Sequence, residues 1–196
     1  MTVTTQKITF EEFLAYDDGT DGLYELENGI LIAIPAESEV NRRIAMFLVA
    51  TFLKLGLSFE RLSMKTELAV SSTRVSVRVP DLVLLSEEGV MALDGATRSL
   101  ILLDMPPPLL VVEVVSPGQE TRDYRYKRSE YAARGIAEYW IIDPNKQQIT
   151  ILEWVEGFYE ITVYRDDELI VSPLFIRLGI EAFTLTTKQL LQAQSA

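Results

Sequence analysis

Two carboxylates stand where carboxylates seldom stand. Glu113 interrupts the aliphatic run 109–115, and Asp81 is the only acid in the apolar stretch 75–85. Runs of this kind read as strands buried on both faces. An unpaired carboxylate there is costly, so each acid requires a cation, a metal or a proton. If the two strands pair, the carboxyl groups lie about 5 Å apart across the ladder. Two convergent hard oxygens suit Mg²⁺ or Mn²⁺, with waters and a phosphate completing the octahedron. The plainer alternative is an ion pair of either acid with Arg78 or with the helix that follows.

That helix brings a cation. Ser116-Pro117-Gly118 breaks the strand, Thr121 is placed as an N-cap, and Gly135 supplies the stop of a helix of about 14 residues. Asp123, Lys127 and Tyr131 fall four apart on one of its faces. A lysine on a helix packed against the sheet can orient an attacking water or stabilise charge on a phosphate. Asp123 then acts as the partner that holds Lys127, one turn away. Tyr131 reads as core, Asp143 before Pro144 as turn chemistry, and Trp140 and Trp154 as packing.

The rest of the chemistry is bounded by what is missing. Among 196 residues there is no cysteine and no histidine. Disulfides, thiolate sites, Ser-His triads and imidazole zinc sites are all excluded, leaving carboxylates, lysine, tyrosine and water. A formal net charge of −11 argues against a general polyanion binder. The helix is the exception, with Arg122, Arg125, Lys127, Arg128 and Arg134 against Asp123 and Glu130. The opening residues carry no signal-peptide pattern, and no run reaches the roughly 18 apolar residues of a membrane span. The expectation is a cytoplasmic protein with no membrane partner.

The elements that must position these groups follow from capping and turn signals. Thr9 and Glu12 form a capping box opening a helix to about residue 16. Asn28-Gly29 marks a hairpin between residues 23–27 and 30–34. Ser38 or Asn41 caps a helix running to residue 55, stopped by Gly56. Strands are expected at 57–62 and 67–70. Pro80 implies a bulge, a strand start or a sheet edge within 75–85. Residues 87–100 read as loop or short helix, and 105–108 as an extended entry to the Glu113 strand. Residues 138–142, 148–154, 158–165 and 168–171 form an antiparallel meander, and 184–194 end in a short helix. The aromatics Trp154, Phe158, Tyr159 and Tyr164 on that meander suggest a homodimer contact.

The ordered set Val79-Pro80-Asp81, Glu113-Val114-Val115-Ser116-Pro117, Asp123…Lys127…Tyr131…Gly135 and Glu138-Tyr139-Trp140-Ile141-Ile142-Asp143-Pro144 resembles the Uma2 family. That family belongs to the PD-(D/E)XK nuclease superfamily, and the likeness extends to the Tyr24-Glu25-Leu26…Asn28-Gly29 hairpin. The resemblance implies that Asp81 and Glu113 bind a metal, joined by the main-chain carbonyl of Val114. Val115 occupies the usual lysine position, and in Uma2-like proteins the lysine's role moves to the position of Lys127. Asn41 stands where many relatives carry histidine, and Glu25 matches the hairpin acid.

The expected fold is α/β, restriction-endonuclease-like, with a mixed central sheet flanked by helices and an antiparallel meander extension, residues 1–196 forming one domain. The expected function is Mg²⁺-dependent (or Mn²⁺-dependent) endonucleolytic hydrolysis of DNA, with Asp81, Glu113 and Lys127 catalytic. The alternative on the same fold is a catalytically weak or inactive module that binds nucleic acid or protein, a role the negative charge favours. A third reading is an accessory or toxin-like protein whose acidic surface engages another protein.

Overall fold

The computed structural model describes residues 7–20, 22–71 and 75–193. Its architecture is mixed α/β, with two mixed sheets flanked by helices. The smaller sheet begins with the hairpin of β1 (Tyr24–Glu27) and β2 (Ile30–Ala33). Asn28 and Gly29 both take positive φ there (52° and 81°), as a two-residue turn between twisted strands requires. β4 (Glu67–Ser71), β5 (Ser76–Arg78) and β7 (Leu100–Ile101) complete this sheet in the order β2-β1-β5-β4-β7.

The larger sheet contains β3 (Leu62–Ser63), β6 (Leu82–Leu84), β8 (Leu110–Val114), β9 (Glu138–Asp143), β10 (Gln148–Val155) and β11 (Phe158–Arg165). Their order is β11-β10-β9-β8-β6-β3. β8 and β9 are parallel, joined by a helical crossover, while β9, β10 and β11 form the antiparallel meander. The helices are α1 (Phe10–Leu14), α2 (Glu39–Lys54), α3 (Glu87–Leu93), α4 (Arg128–Arg134), α5 (Pro173–Arg177) and α6 (Thr187–Gln192). α2, α5 and α6 cover one face, where Ile44, Phe52, Val112, Val114, Trp140, Phe175 and Leu190 share a core. α4 covers the other, packing Tyr131 over Val111, Val115, Tyr139 and Ile141.

The alternation of β8 aims its acid. Leu110, Val112 and Val114 point to the α2 face, and Val111 and Val115 to the α4 face. The period of two therefore sends Glu113 toward α4. Residues 75–85 do not form one strand: the chain leaves the smaller sheet at Arg78, bends through Val79-Pro80-Asp81, and enters the larger sheet at Leu82. Pro80, lacking an amide proton, sits at this break. Asp81 thus lies just before β6 instead of within a strand.

Other expectations need correction too. Residues 57–62 yield only a 3₁₀ turn at Phe59–Arg61 and the two-residue β3, because Arg61 turns in to bond Leu85. Residues 168–171 form a single bridge, Leu169 with Thr186, since Ser172 and Pro173 already open α5. Thr121 does not cap: its backbone is helical (φ −63°, ψ −35°) and its side chain makes no cap bond. After helical residues 120 and 121, the helix takes π geometry over Arg122–Lys127 before becoming α4. The Tyr139 hydroxyl, reaching up from β9, donates to the Asp123 carbonyl at 3.1 Å, an insertion of the kind that loosens a helical ladder.

Candidate functional site

A cleft of about 360 Å³ opens where the two sheets meet. Its lining includes Glu25, Asn41, Asp81, Glu113, Arg122, Asp123 and Lys127. The antiparallel register of β6 and β8 pairs Leu82 with Val112, so one step further sets Asp81 opposite Glu113. The Val114 amide donates to Asp81 Oδ2 at 2.6 Å, fixing the carboxylate beside the end of β8. The adjacency expected of the two acids is therefore present, although only one of them is in a strand.

Lys127 is buried, and its ammonium occupies the centre of the acidic cluster. Nζ lies 2.8 Å from Glu113 Oε2, 3.2 Å from Asp123 Oδ1 and 3.6 Å from Glu25 Oε1. Tyr131 donates its hydroxyl to Glu113 Oε1 at 2.6 Å, so the tyrosine is core and site at once. The face predicted from the four-residue spacing is real, and all three of its side chains meet around Glu113.

The electrostatics follow from more acids than nearby cations. Burial pushes the Glu113 carboxyl up to about 8, against the pull of the Lys127 ammonium. Burial likewise raises Asp81 to about 6, opposed by the Val114 amide and Lys127, and it raises Asp123. Burial alone would lower Lys127, but Glu113, Glu25 and Asp123 hold its proton more tightly than usual. Glu25 behaves differently. Burial works to raise it, yet Lys127, Arg78 and Arg122 together hold it at about 2. Excess buried negative charge of this sort is relieved by a proton or by a divalent cation.

Behind the cleft lies a network that the sequence did not announce. Arg78 is fully buried and reaches Glu27 at 2.8 Å, Glu25 at 3.2 Å and Glu130 at 2.7 Å. Arg122 adds contacts to Glu25 (2.5 Å) and Glu27 (2.9 Å). The hint was available in Arg78, a lone cation in an apolar run, but its partners come from β1 and α4, distant in sequence. The basic helix is accordingly not a basic surface, since Arg122 and Lys127 both turn inward.

The remaining candidates are placed as follows. Ser38, not Asn41, caps α2, and Asn41 is buried at the cleft. Its Nδ2 donates to the Val114 carbonyl (2.9 Å) and to Ser116 Oγ (3.0 Å). Val115 is buried in the α4-side core. Asp143 accepts the amides of Asn145 and Lys146, as turn chemistry predicts.

As a donor set for a hard divalent ion, the cleft offers the carboxylates of Asp81 and Glu113 and the second lone pair of the Val114 carbonyl. All are oxygens, as Mg²⁺ and Mn²⁺ prefer. Among the described residues, no three acidic side chains converge into a cage complete by itself. Mg²⁺ seldom uses one, because it keeps waters and substrate oxygens in its shell.

A mixed sheet crossed by the β8–helix–β9 unit, with helices on both faces, defines a restriction-endonuclease-like α/β fold. The chain belongs to the Uma2 family, whose model, described as "Putative restriction endonuclease", matches residues 10–187. Its fold is similar to that of "a putative nuclease belonging to DUF820" from Anabaena variabilis ATCC 29413, with a TM-score of 0.74 and 19% identity. That similarity covers 95% of this chain and 99% of the other. Comparison with curated proteins finds no match. Among the described residues, no helix is long and apolar enough to cross a membrane.

Proposed function

We propose that this protein is a divalent-metal-dependent endonuclease that hydrolyses DNA phosphodiester bonds, with residues 1–196 acting as one domain in the cytoplasm. The observation that carries the reading is the meeting of Asp81, Glu113 and Lys127 in one cleft, with the lysine ammonium 2.8 Å from Glu113. Asp81, Glu113 and the Val114 carbonyl would hold the ion. When bound, Mg²⁺ or Mn²⁺ supplies Lewis-acid polarisation of the phosphate and acidifies water.

The chain's own groups do the rest. Tyr131 fixes one oxygen of Glu113, and the Lys127 ammonium holds the other. Asp123, one turn before Lys127, holds the ammonium at the mouth of the Glu113 strand. From there Lys127 orients the attacking water and stabilises charge gathering on the phosphate oxygens. The deciding experiment is plasmid nicking with Mn²⁺ or Mg²⁺, comparing wild type with Asp81→Asn and Glu113→Gln. Metal-dependent nicking by wild type, lost in both variants, is the expected result. No metal-dependent cleavage of any DNA would overturn it. The net charge of −11 would then favour the catalytically inactive binding module instead.

A further inference from the structure

The outer edge of the larger sheet is open. β11 is its terminal strand, eight residues long, and among the described residues no strand pairs with its outer side. Edge strands of soluble proteins are normally blunted by charged side chains, above all lysine, or by proline, a bulge or short length. β11 is long and its eight pairs with β10 run without a register shift; it lacks proline and lysine, and its charges are Glu160 and Arg165. The Arg165 amide and carbonyl are already bonded to Glu168, so the open edge is 158–164. Its side chains are also apolar where they are open, with Phe158 78% exposed, Ile161 47% and Val163 36%. Tyr164 donates its hydroxyl to the Val171 carbonyl at 3.3 Å, which brings another exposed aliphatic residue beside the edge.

We propose that β11 pairs antiparallel with β11 of a second copy of this chain, about a two-fold axis through Ile161, joining the two large sheets into one. The strand's own pattern selects both the occupant and the register. A two-fold axis normal to a sheet keeps every side chain on its own face, and directly opposed residues share a face, so the axis must fall midway between the two copies of one residue. With the axis at Ile161, Ile161 meets itself and Tyr159 meets Val163 on the α4 face. On the opposite face Phe158 meets Tyr164, and Glu160 meets Thr162. No like charges are opposed, and aromatic and β-branched pairs of this kind stabilise sheets.

Neighbouring registers are worse. An axis through Glu160 opposes the two copies of that carboxylate. One through Thr162 sets Phe158 against Asp166, and one through Val163 sets Glu160 against Asp166. One register of a single strand is thus complementary to itself, which fits a second copy better than an unrelated partner.

The absence of cysteine gives a clean test. Opposed residues on antiparallel strands have Cα atoms about 4.5–5.5 Å apart, within disulfide range. Wild type should be a dimer by light scattering at micromolar concentration. Under mild oxidation Ile161→Cys should form a covalent dimer efficiently, and Thr162→Cys, whose neighbour is Glu160 of the second copy, far less. Ile161→Lys, at an exposed position, should give a monomer with an unchanged circular dichroism spectrum. If that variant fails to fold, the cross-linking pattern decides alone. A monomeric wild type, or equal cross-linking at both positions, overturns the proposal.

Discussion

Lys127 is where a surface-looking residue proves to be buried. A helix lysine flanked by Tyr126 and Arg128 would ordinarily be solvated, yet this one is enclosed by three carboxylates. Its removal therefore has two consequences. Lys127→Met leaves Glu113, Asp123 and Glu25 short of a cation, and breaking a buried ionic cluster typically costs about 3–5 kcal/mol. Thermal melts in EDTA should show that loss. Catalytically, at saturating Mn²⁺ and below the melting transition, DNA nicking should fall about 10²-fold or more, the scale for losing one charge-stabilising group. Arg128→Met, partly exposed and about 100° around the helix, is the control and should leave both readouts nearly unchanged. Equal small effects of the two substitutions would mean that the Lys127 ammonium neither holds the acidic cluster together nor acts in cleavage.

At the scale of elements, the legible parts of the sequence were those governed by near neighbours. The Asn28-Gly29 turn, the Thr9–Glu12 capping box, the Gly135 stop (φ 76°) and the first three strands of the meander all appear as their local chemistry requires. Asp81 and Glu113 were conspicuous because an acid in an aliphatic run demands an explanation. What stayed hidden depends on residues far apart in sequence. The second sheet exists because β5 pairs with β1 and β4, and nothing in 75–85 distinguishes a strand that changes sheets from one that does not. The Arg78 network is hidden for the same reason.

The surroundings of Glu138 are equally hidden, although the residue opens both the 138–142 strand and the last of the Uma2-like motifs. It is fully buried without an ion-pair partner among the described residues, and accepts hydrogen bonds from Trp140 Nε1, Ser172 Oγ and the Leu174 amide. It thereby ties β9 to the first turn of α5. Glu138→Gln would set an amide donor against one of these donors, costing about 1–3 kcal/mol. Burial raises the Glu138 pKa above its ordinary 4.5, despite those donors. The folded state then holds this proton more tightly than the unfolded chain. Its stabilising contribution is complete below the ordinary carboxylate value and is lost as pH rises through the folded one. Denaturation across that window should show a decline with pH in wild type that is reduced in Glu138→Gln. Identical pH profiles would show that Glu138 titrates normally.

For the whole molecule, the charge balance makes the divalent ion a matter of stability as well as chemistry. The chain carries −11 overall, and the cleft concentrates part of that charge around Lys127. Its cations are already committed: Lys65 to Glu37 at 3.4 Å, Arg122 to Glu25 and Glu27, and Lys127 to Glu113. Among the described residues, a polyanion approaching the metal-free cleft meets no spare positive charge. An ion between Asp81 and Glu113 would relieve repulsion at the seam where the smaller sheet hands the chain to the larger, so binding should stabilise both. At a metal concentration about 100 times the Kd, linkage adds about 2.7 kcal/mol. For a chain of this size that corresponds to a rise of roughly 5–10 °C in Tm. Wild type should show the rise with Mn²⁺, and Asp81→Asn should not. In EDTA, Asp81→Asn should melt no lower than wild type, because the substitution removes one of the repelling charges. A marked loss of stability in EDTA would instead make Asp81 a structural partner of the Val114 amide, and the ion would have to be sought elsewhere.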